Sequence, residues 1–240
     1  TASFFMQIWY IEKNNKNKKI TGLTQYFRNH IHQEGIIVCE ERKFIYMKPT
    51  KTAGSSILRG VLNKQDFNVF HKLDHPLEFK QWIDKINDKV LEDYFIFSVV
   101  RNPWDRLVSV AAYFKIPVKK FLRNIDLYWE DPNIKKHSFP IHHYTHYQGM
   151  QFVDFICRFE TIQADINLVF DQIGIERTLL PHAKKTDHHH YSAYYNDETR
   201  TMVEELYAED IQFYGYVFET QPPSLWERTY YFVKRKFFLI

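Results

Sequence analysis

Residues 43–60 read KFIYMKPTKTAGSSILRG. The apolar run Phe44-Ile45-Tyr46-Met47 has strand character, and the run from Ile57 to Leu62 has helix character. Between them the chain gathers Lys51, Thr52, Gly54, Ser55 and Ser56. A loop joining a strand to a helix offers backbone N–H groups and the positive end of the helix dipole, so a phosphate fits there. Gly54 lets backbone and ligand approach closely, three hydroxyls add donors, and Lys51 adds charge. The stretch departs from the triphosphate loop G-x-x-x-x-G-K-[ST]: its lysine precedes the glycine, and the first glycine is missing. No apolar strand ends in an obvious magnesium-holding Asp, so the ligand implied is a phosphate compound that needs no metal.

Outward from that turn, strand-like runs occur at 35–39, 43–47, 67–70, 94–100 and 153–159. They are almost continuously apolar, as strands covered on both faces are. Helical runs lie at about 55–64, 76–91, 103–115, 161–173 and 196–210, with Thr161 and Asn196 as N-caps and Gly174 as a C-terminal stop. The alternation predicts an α/β fold: a central parallel sheet flanked by helices. The segment 116–150, rich in Pro, His, Tyr and Lys, reads as loop and short helix, the usual place for acceptor specificity. The chain reads as one domain, with a helical lead-in over 1–42, a core over 43–216 and a C-terminal helix over 217–240, aromatic and basic, that docks on the core or else lies on a membrane surface.

The stretch YFIFSVVRNPWDRLVSVAAYF, residues 94–114, repeats the strand-to-helix design. Asn102 is an N-cap residue, Pro103 suits the first helical position, and Asp105 brings negative charge to the first turn. Arg101 then stands at a strand's carboxyl end and Ser109 two turns into the helix. An Arg and a Ser so placed grip a phosphate, the Arg in bidentate fashion. Ligands of open α/β sheets lie beyond the carboxyl ends of the strands, so the two turns address two ends of one ligand. Arg106 is open to two readings, a reach into that site or a surface ion pair.

PTKTAGSS followed by VVRNPWDRLVS resembles the sulfotransferases that use 3′-phosphoadenosine 5′-phosphosulfate (PAPS), in the carbohydrate-sulfotransferase branch (sulfotransferase family 2) with its P-loop-like fold. Matching stretches at 153–175 and 194–216 extend the resemblance over roughly residues 43–216. The resemblance implies that Lys51, Thr52, Ala53, Gly54, Ser55 and Ser56 hold the 5′-phosphosulfate, and that Arg101 and Ser109 hold the 3′-phosphate. Thr50 departs from the pattern, since many members have proline directly before the lysine, and here Pro49 comes one residue earlier. The reaction implied is in-line transfer of a sulfuryl group to a hydroxyl of a glycan or small molecule, an amine being second choice. Adenosine 3′,5′-bisphosphate (PAP) is the product, and no metal is used. A P-loop kinase and a non-catalytic nucleotide-binding protein are the alternatives.

Sulfuryl transfer needs an activated acceptor oxygen, a stabilised bridging oxygen and in-line geometry. Lys51 is the candidate for the bridging oxygen. A base must take the acceptor proton, and histidine titrates in the useful range. The family places a catalytic histidine between its two phosphate motifs, so His75, or else His71, carries that role, with Asp74 as a possible orienting group. His142, His143 and His146, and His188, His189 and His190, invite a zinc reading, but the glutamate of a metalloprotease motif is absent and no metal is assigned. Lys184, Lys185 and His188 are read as closing over the nucleotide, Tyr194 and Tyr195 as core packing, and Arg158 with Glu160 as an ion pair.

Composition fits this picture. The chain has 240 residues, 45% hydrophobic and 18% aromatic, enough for a sizeable core. Its net charge of +3 suits a polyanionic small molecule and makes no demand for nucleic acid. Two cysteines, Cys39 and Cys157, have apolar neighbours and read as buried thiols rather than a disulfide. No apolar run reaches the ~18 residues of a membrane span. The chain opens on Thr1 without a signal-peptide pattern, and lacks Asn-x-Ser/Thr acceptors. The expectation is a bacterial cytoplasmic enzyme, or the lumenal domain of a Golgi enzyme freed of its anchor.

Overall fold

The computed structural model describes residues 35–60, 62, 70–71, 91–181 and 189–220. Its main sheet has five strands: β1 (Gly35–Cys39), β2 (Phe44–Lys48), β3 (Phe70–His71), β4 (Phe95–Val100) and β7 (Phe155–Arg158), in the order β3-β1-β2-β4-β7. Two short strands, β5 (His146–Tyr147) and β6 (Met150–Gln151), pair by themselves. β2, β4 and β7 are parallel neighbours, as predicted. β1 is the exception, antiparallel to both β2 and β3. Only residues 40–43 separate β1 from β2, a hairpin connection too short for a parallel crossover.

Alternate residues of the strands feed opposite faces. Ile36, Val38, Ile45, Met47 and Ile96 pack on one side with Tyr144 and Phe152. Ile37, Cys39, Phe44, Tyr46, Phe97 and Val99 pack on the other, beneath α1 (Gly54–Gly60) and α6 (Ile162–Ile173). Both cysteines are free and buried there, and burial raises the pKa of each thiol. A third apolar cluster gathers around α2 (Pro103–Phe114), with α3 (Val118–Arg123), α4 (Ile125–Tyr128), α5 (Pro132–Ser138), α7 (Asp197–Leu206) and α8 (Ala208–Tyr214) nearby in sequence or space.

Helix ends follow local chemistry. The Asn102 side chain accepts from the N–H groups of Trp104 and Asp105, Asn196 forms a capping box with Thr199, and Gly174 ends α6 in the left-handed region at φ 70°. Thr161 makes no cap bond; its hydroxyl turns to Asp165 at 2.8 Å. The run predicted over 196–210 is two helices broken at Tyr207. The helix predicted over 76–91 falls almost wholly outside the described residues, as do most of the lead-in and the C-terminal helix. Among the described residues no helix is long and apolar enough to cross a membrane.

Candidate functional site

The parallel register of β2 on β4 pairs Met47 with Ser98, so both strands leave the sheet at the same edge. Adjacent strands lie about 4.8 Å apart, which brings the turn after β2 beside the turn after β4. The Arg101 Nη1 donates to the carbonyl of Lys51 at 2.9 Å. The lysine turn and the arginine turn therefore meet directly. The β7 end joins them, because the Glu160 carboxylate accepts from the Asn102 N–H at 2.7 Å.

The first turn has an unusual backbone. Lys51 and Ala53 sit at φ 63° and 62°, a region that non-glycine residues rarely adopt, while Thr52 between them does not. Backbone that alternates in hand turns successive N–H groups to one side and makes a concavity for an anion. The Thr52 hydroxyl is spent inside the loop on the Pro49 carbonyl at 2.8 Å. The Ser55 and Ser56 hydroxyls make no hydrogen bond to a described residue. Gly54 has a more local reason than approach to a ligand. A Cβ there would stand 2.7 Å from Lys48 Cγ and 3.6 Å from the Tyr46 hydroxyl. That hydroxyl is buried under the loop, and burial raises its pKa far above the usual range.

Thr50, the departure from the family pattern, has a structural use. Its hydroxyl donates to the carbonyls of His137 at 3.0 Å and Lys136 at 3.3 Å, which tie the loop to the end of α5. Proline could not do this. Thr50→Val is expected to lower stability by about 1 kcal/mol, read as a fall in the unfolding midpoint. An unchanged midpoint would mean the hydroxyl is dispensable.

Arg106 is not a surface ion pair. It is 2% exposed and donates to the carbonyls of Thr50 at 3.2 Å, His137 at 3.1 Å and Phe139 at 2.7 Å. Arg101 is 7% exposed; its Nε donates to Asp105 at 2.8 Å and its guanidinium lies 4.0 Å from the Phe159 ring centroid. Its Nη2 makes no hydrogen bond to a described residue. Asp105, Ser109 and Tyr113 recur every four residues along α2 and so share one face. The Ser109 hydroxyl makes no hydrogen bond to a described residue, and the Lys51 Nζ lies 4.7 Å from the Tyr113 ring centroid. The face thus runs from the arginine at one end to the lysine at the other. Beside its N-terminal end opens a cavity of about 470 Å³, lined by Asn102, Asp105, Arg158, Glu160, His190 and Tyr216 among others.

Other expected site residues fall differently. His75, Lys184, Lys185 and His188 lie outside the described residues, and of His71 only the backbone is described, level with Tyr46 across β1. Arg158 and Glu160 are not an ion pair: Arg158 donates to the Tyr214 carbonyl, and Glu160 also accepts from the Tyr216 hydroxyl at 3.1 Å. His142 and His146 do not share a helix. His142 is held by Asp210 at 2.9 Å, and His146, packed on Phe213, is pushed down to about 4 by burial and by neighbouring His142. Among the described residues no cluster of three metal-ligating side chains occurs. Tyr195 packs as expected, its hydroxyl on the Trp104 carbonyl at 2.8 Å, whereas Tyr194 is exposed.

Sequence reasoning passed over His137. It is half-buried, stacked on Tyr113 with ring centroids 5.1 Å apart. Desolvation lowers its pKa, against the Asn133 carbonyl, and the charges of Lys136, Lys51 and Arg106 lower it further. No periodic signal marks it; the Thr50 and Arg106 bonds and the Tyr113 stack bring it to the loop.

An uncharacterized protein of Archaeoglobus fulgidus is 26% identical over 103 residues, which span 40% of this chain and 81% of that protein. No solved structure matches the chain. The profile described as Sulfotransferase family matches residues 34–217, so it covers both phosphate-type turns and the helix between Arg101 and Tyr113. By that match the chain belongs to the sulfotransferase family, whose chemistry is sulfuryl transfer.

Proposed function

We propose that the protein transfers a sulfuryl group from PAPS to a hydroxyl of a carbohydrate or small-molecule acceptor. The observation that carries this reading is the contact of the two turns, Arg101 Nη1 on the Lys51 carbonyl, which lets one doubly phosphorylated nucleoside reach both. The 5′-phosphosulfate lies in the concavity of residues 51–54, against the Ser55 and Ser56 hydroxyls. The 3′-phosphate lies on Arg101 Nη2 and the Ser109 hydroxyl. The adjoining cavity, within the ~300–1,000 Å³ usual for small-molecule sites, has room for the nucleoside. Lys51 takes up the negative charge that develops on the bridging oxygen as the sulfur–oxygen bond breaks. The nucleotide's own charge is met by lysine and arginine, and no metal is needed in this scheme.

The test is a thermal shift. PAP at a hundred times its Kd stabilises by about 2.7 kcal/mol, whereas ATP with magnesium leaves the midpoint in place. Stabilisation by ATP with magnesium alone would assign the site to a kinase. Arg101→Ala is expected to weaken PAP by more than about 1.5 kcal/mol, the lower end for a charge-assisted contact. Calorimetry that finds the affinity unchanged would remove Arg101 from the site.

A further inference from the structure

The acceptor side of the reaction needs a proton acceptor, and the described residues offer one that lies outside the segment between the phosphate motifs. The ring of His137 has its Nδ1 2.8 Å from the Asn133 carbonyl. A carbonyl only accepts, so in the neutral ring Nδ1 carries the hydrogen and Nε2 keeps its lone pair. The ring is fixed from two sides: stacked on Tyr113 at 5.1 Å and 14°, and edge-on to Phe114 at 5.3 Å and 89°. Its backbone carbonyl is held by Thr50 at 3.0 Å and by Arg106 at 3.1 Å, which anchors the residue beside Lys51. Lys51 and His137 both rest against the Tyr113 ring, so they are no farther apart than the sum of their distances to its centroid. Tyr113 itself is 52% exposed.

We propose that His137 is the general base of the transfer, and that Tyr113 is the floor on which a hydroxyl-bearing acceptor, such as the apolar face of a sugar ring, lies between His137 and Lys51. This rests on the sulfotransferase reading above. In the step, the acceptor oxygen attacks sulfur and forms the new oxygen–sulfur bond. The bond from sulfur to the bridging oxygen breaks, and its electron pair stays on the phosphate of departing PAP, next to Lys51. The acceptor hydroxyl proton passes to Nε2 of His137, and the imidazolium later returns it to water. In-line displacement sets base and leaving group on opposite sides of the sulfur, so the acceptor must enter between His137 and Lys51. The charged groups around the ring, Lys51, Arg106 and Lys136, are all cations, and burial works in the same direction. His137 therefore stays neutral, and able to accept, below the ordinary histidine midpoint of about 6.5.

The test compares wild type with His137→Gln and His137→Phe, the second preserving the aromatic stack. PAP binding by calorimetry and the unfolding midpoint verify the fold. Sulfuryl transfer is followed by mass spectrometry, with PAPS as donor and 4-nitrophenol, chitotriose and an unsulfated chondroitin tetrasaccharide as acceptors. Both variants are expected to bind PAP as wild type does and to lose about a hundredfold or more in kcat. The acid limb of the wild-type pH profile should lie below pH 6.5 and vanish in both variants. In parallel, the His137 Cε1–H resonance should titrate to higher pH when PAP is bound, because the phosphates offset Lys51 and Arg106. Wild-type turnover in either variant overturns the proposal and leaves His75 or His71 as the base. If none of the three acceptors is sulfated, the titration decides, and a midpoint unmoved by PAP overturns it. Failure of wild type to bind PAP removes the donor reading itself, and this proposal with it.

Discussion

Lys51→Ala is expected to lower sulfuryl turnover by about a hundredfold or more while PAP affinity falls by less than about tenfold. The asymmetry follows from where charge appears. In bound PAPS the bridging oxygen carries little charge, and the lysine gains most of its interaction only as the bond to sulfur breaks. The substitution is clean for a structural reason. Lys51 adopts φ 63°, and alanine bears the same Cβ, so the backbone strain is unchanged while the ammonium is lost. Removal of the Nζ also uncovers the Tyr113 ring, 4.7 Å away. Single-turnover kinetics with PAPS, set beside calorimetry with PAP, reads both quantities. Equal losses in the two would confine Lys51 to binding.

Arg106→Met is expected to cost about 3 kcal/mol of stability, a fall of about 6–12 °C in the unfolding midpoint for a chain of this size. Three carbonyls, those of Thr50, His137 and Phe139, lose the arginine at once, and the His137 carbonyl keeps the Thr50 hydroxyl as a donor. Each half-buried acceptor left unpaired costs about 1–3 kcal/mol, and the three share one loop, so the costs do not add in full. Methionine restores most of the volume, which separates the polar loss from a packing defect. PAP affinity should fall as well, because Thr50 adjoins Lys51 and an untethered loop must be ordered by the ligand. Thermal unfolding of the apo and PAP-bound variant measures both effects. A midpoint within 2 °C of wild type would show the arginine to be replaceable.

The sequence carried the sheet's two central strands and both turns, because each strand is an apolar run that stops at a polar loop beginning a helix. Asn102, Asn196 and Gly174 announced their helix ends through capping chemistry that needs no tertiary partner. The opposite sense of β1 was also readable, since four residues between apolar runs force a hairpin, but the apolar pattern alone is blind to direction. Arg106 was not readable. Its partners are carbonyls of residues 50, 137 and 139, and a carbonyl has no signature in a sequence. Gly54 was noticed for its turn, but the Lys48 stem that fills the space beside it was not readable. His137 lacked any mark because it enters the site through its backbone, held by side chains far away in the chain.

Thr50 and Arg106 grip the same short piece of chain, residues 136–139, from the turn after β2 and from α2. On the proposed reading, donor and acceptor sites thus share one mount. A molecule that quiets that mount from either side lowers the ordering cost for the other, and thermodynamic reciprocity makes the two gains equal. The protein should therefore hold PAP more tightly once a true acceptor is seated, and by the same factor hold that acceptor more tightly once PAP is in place.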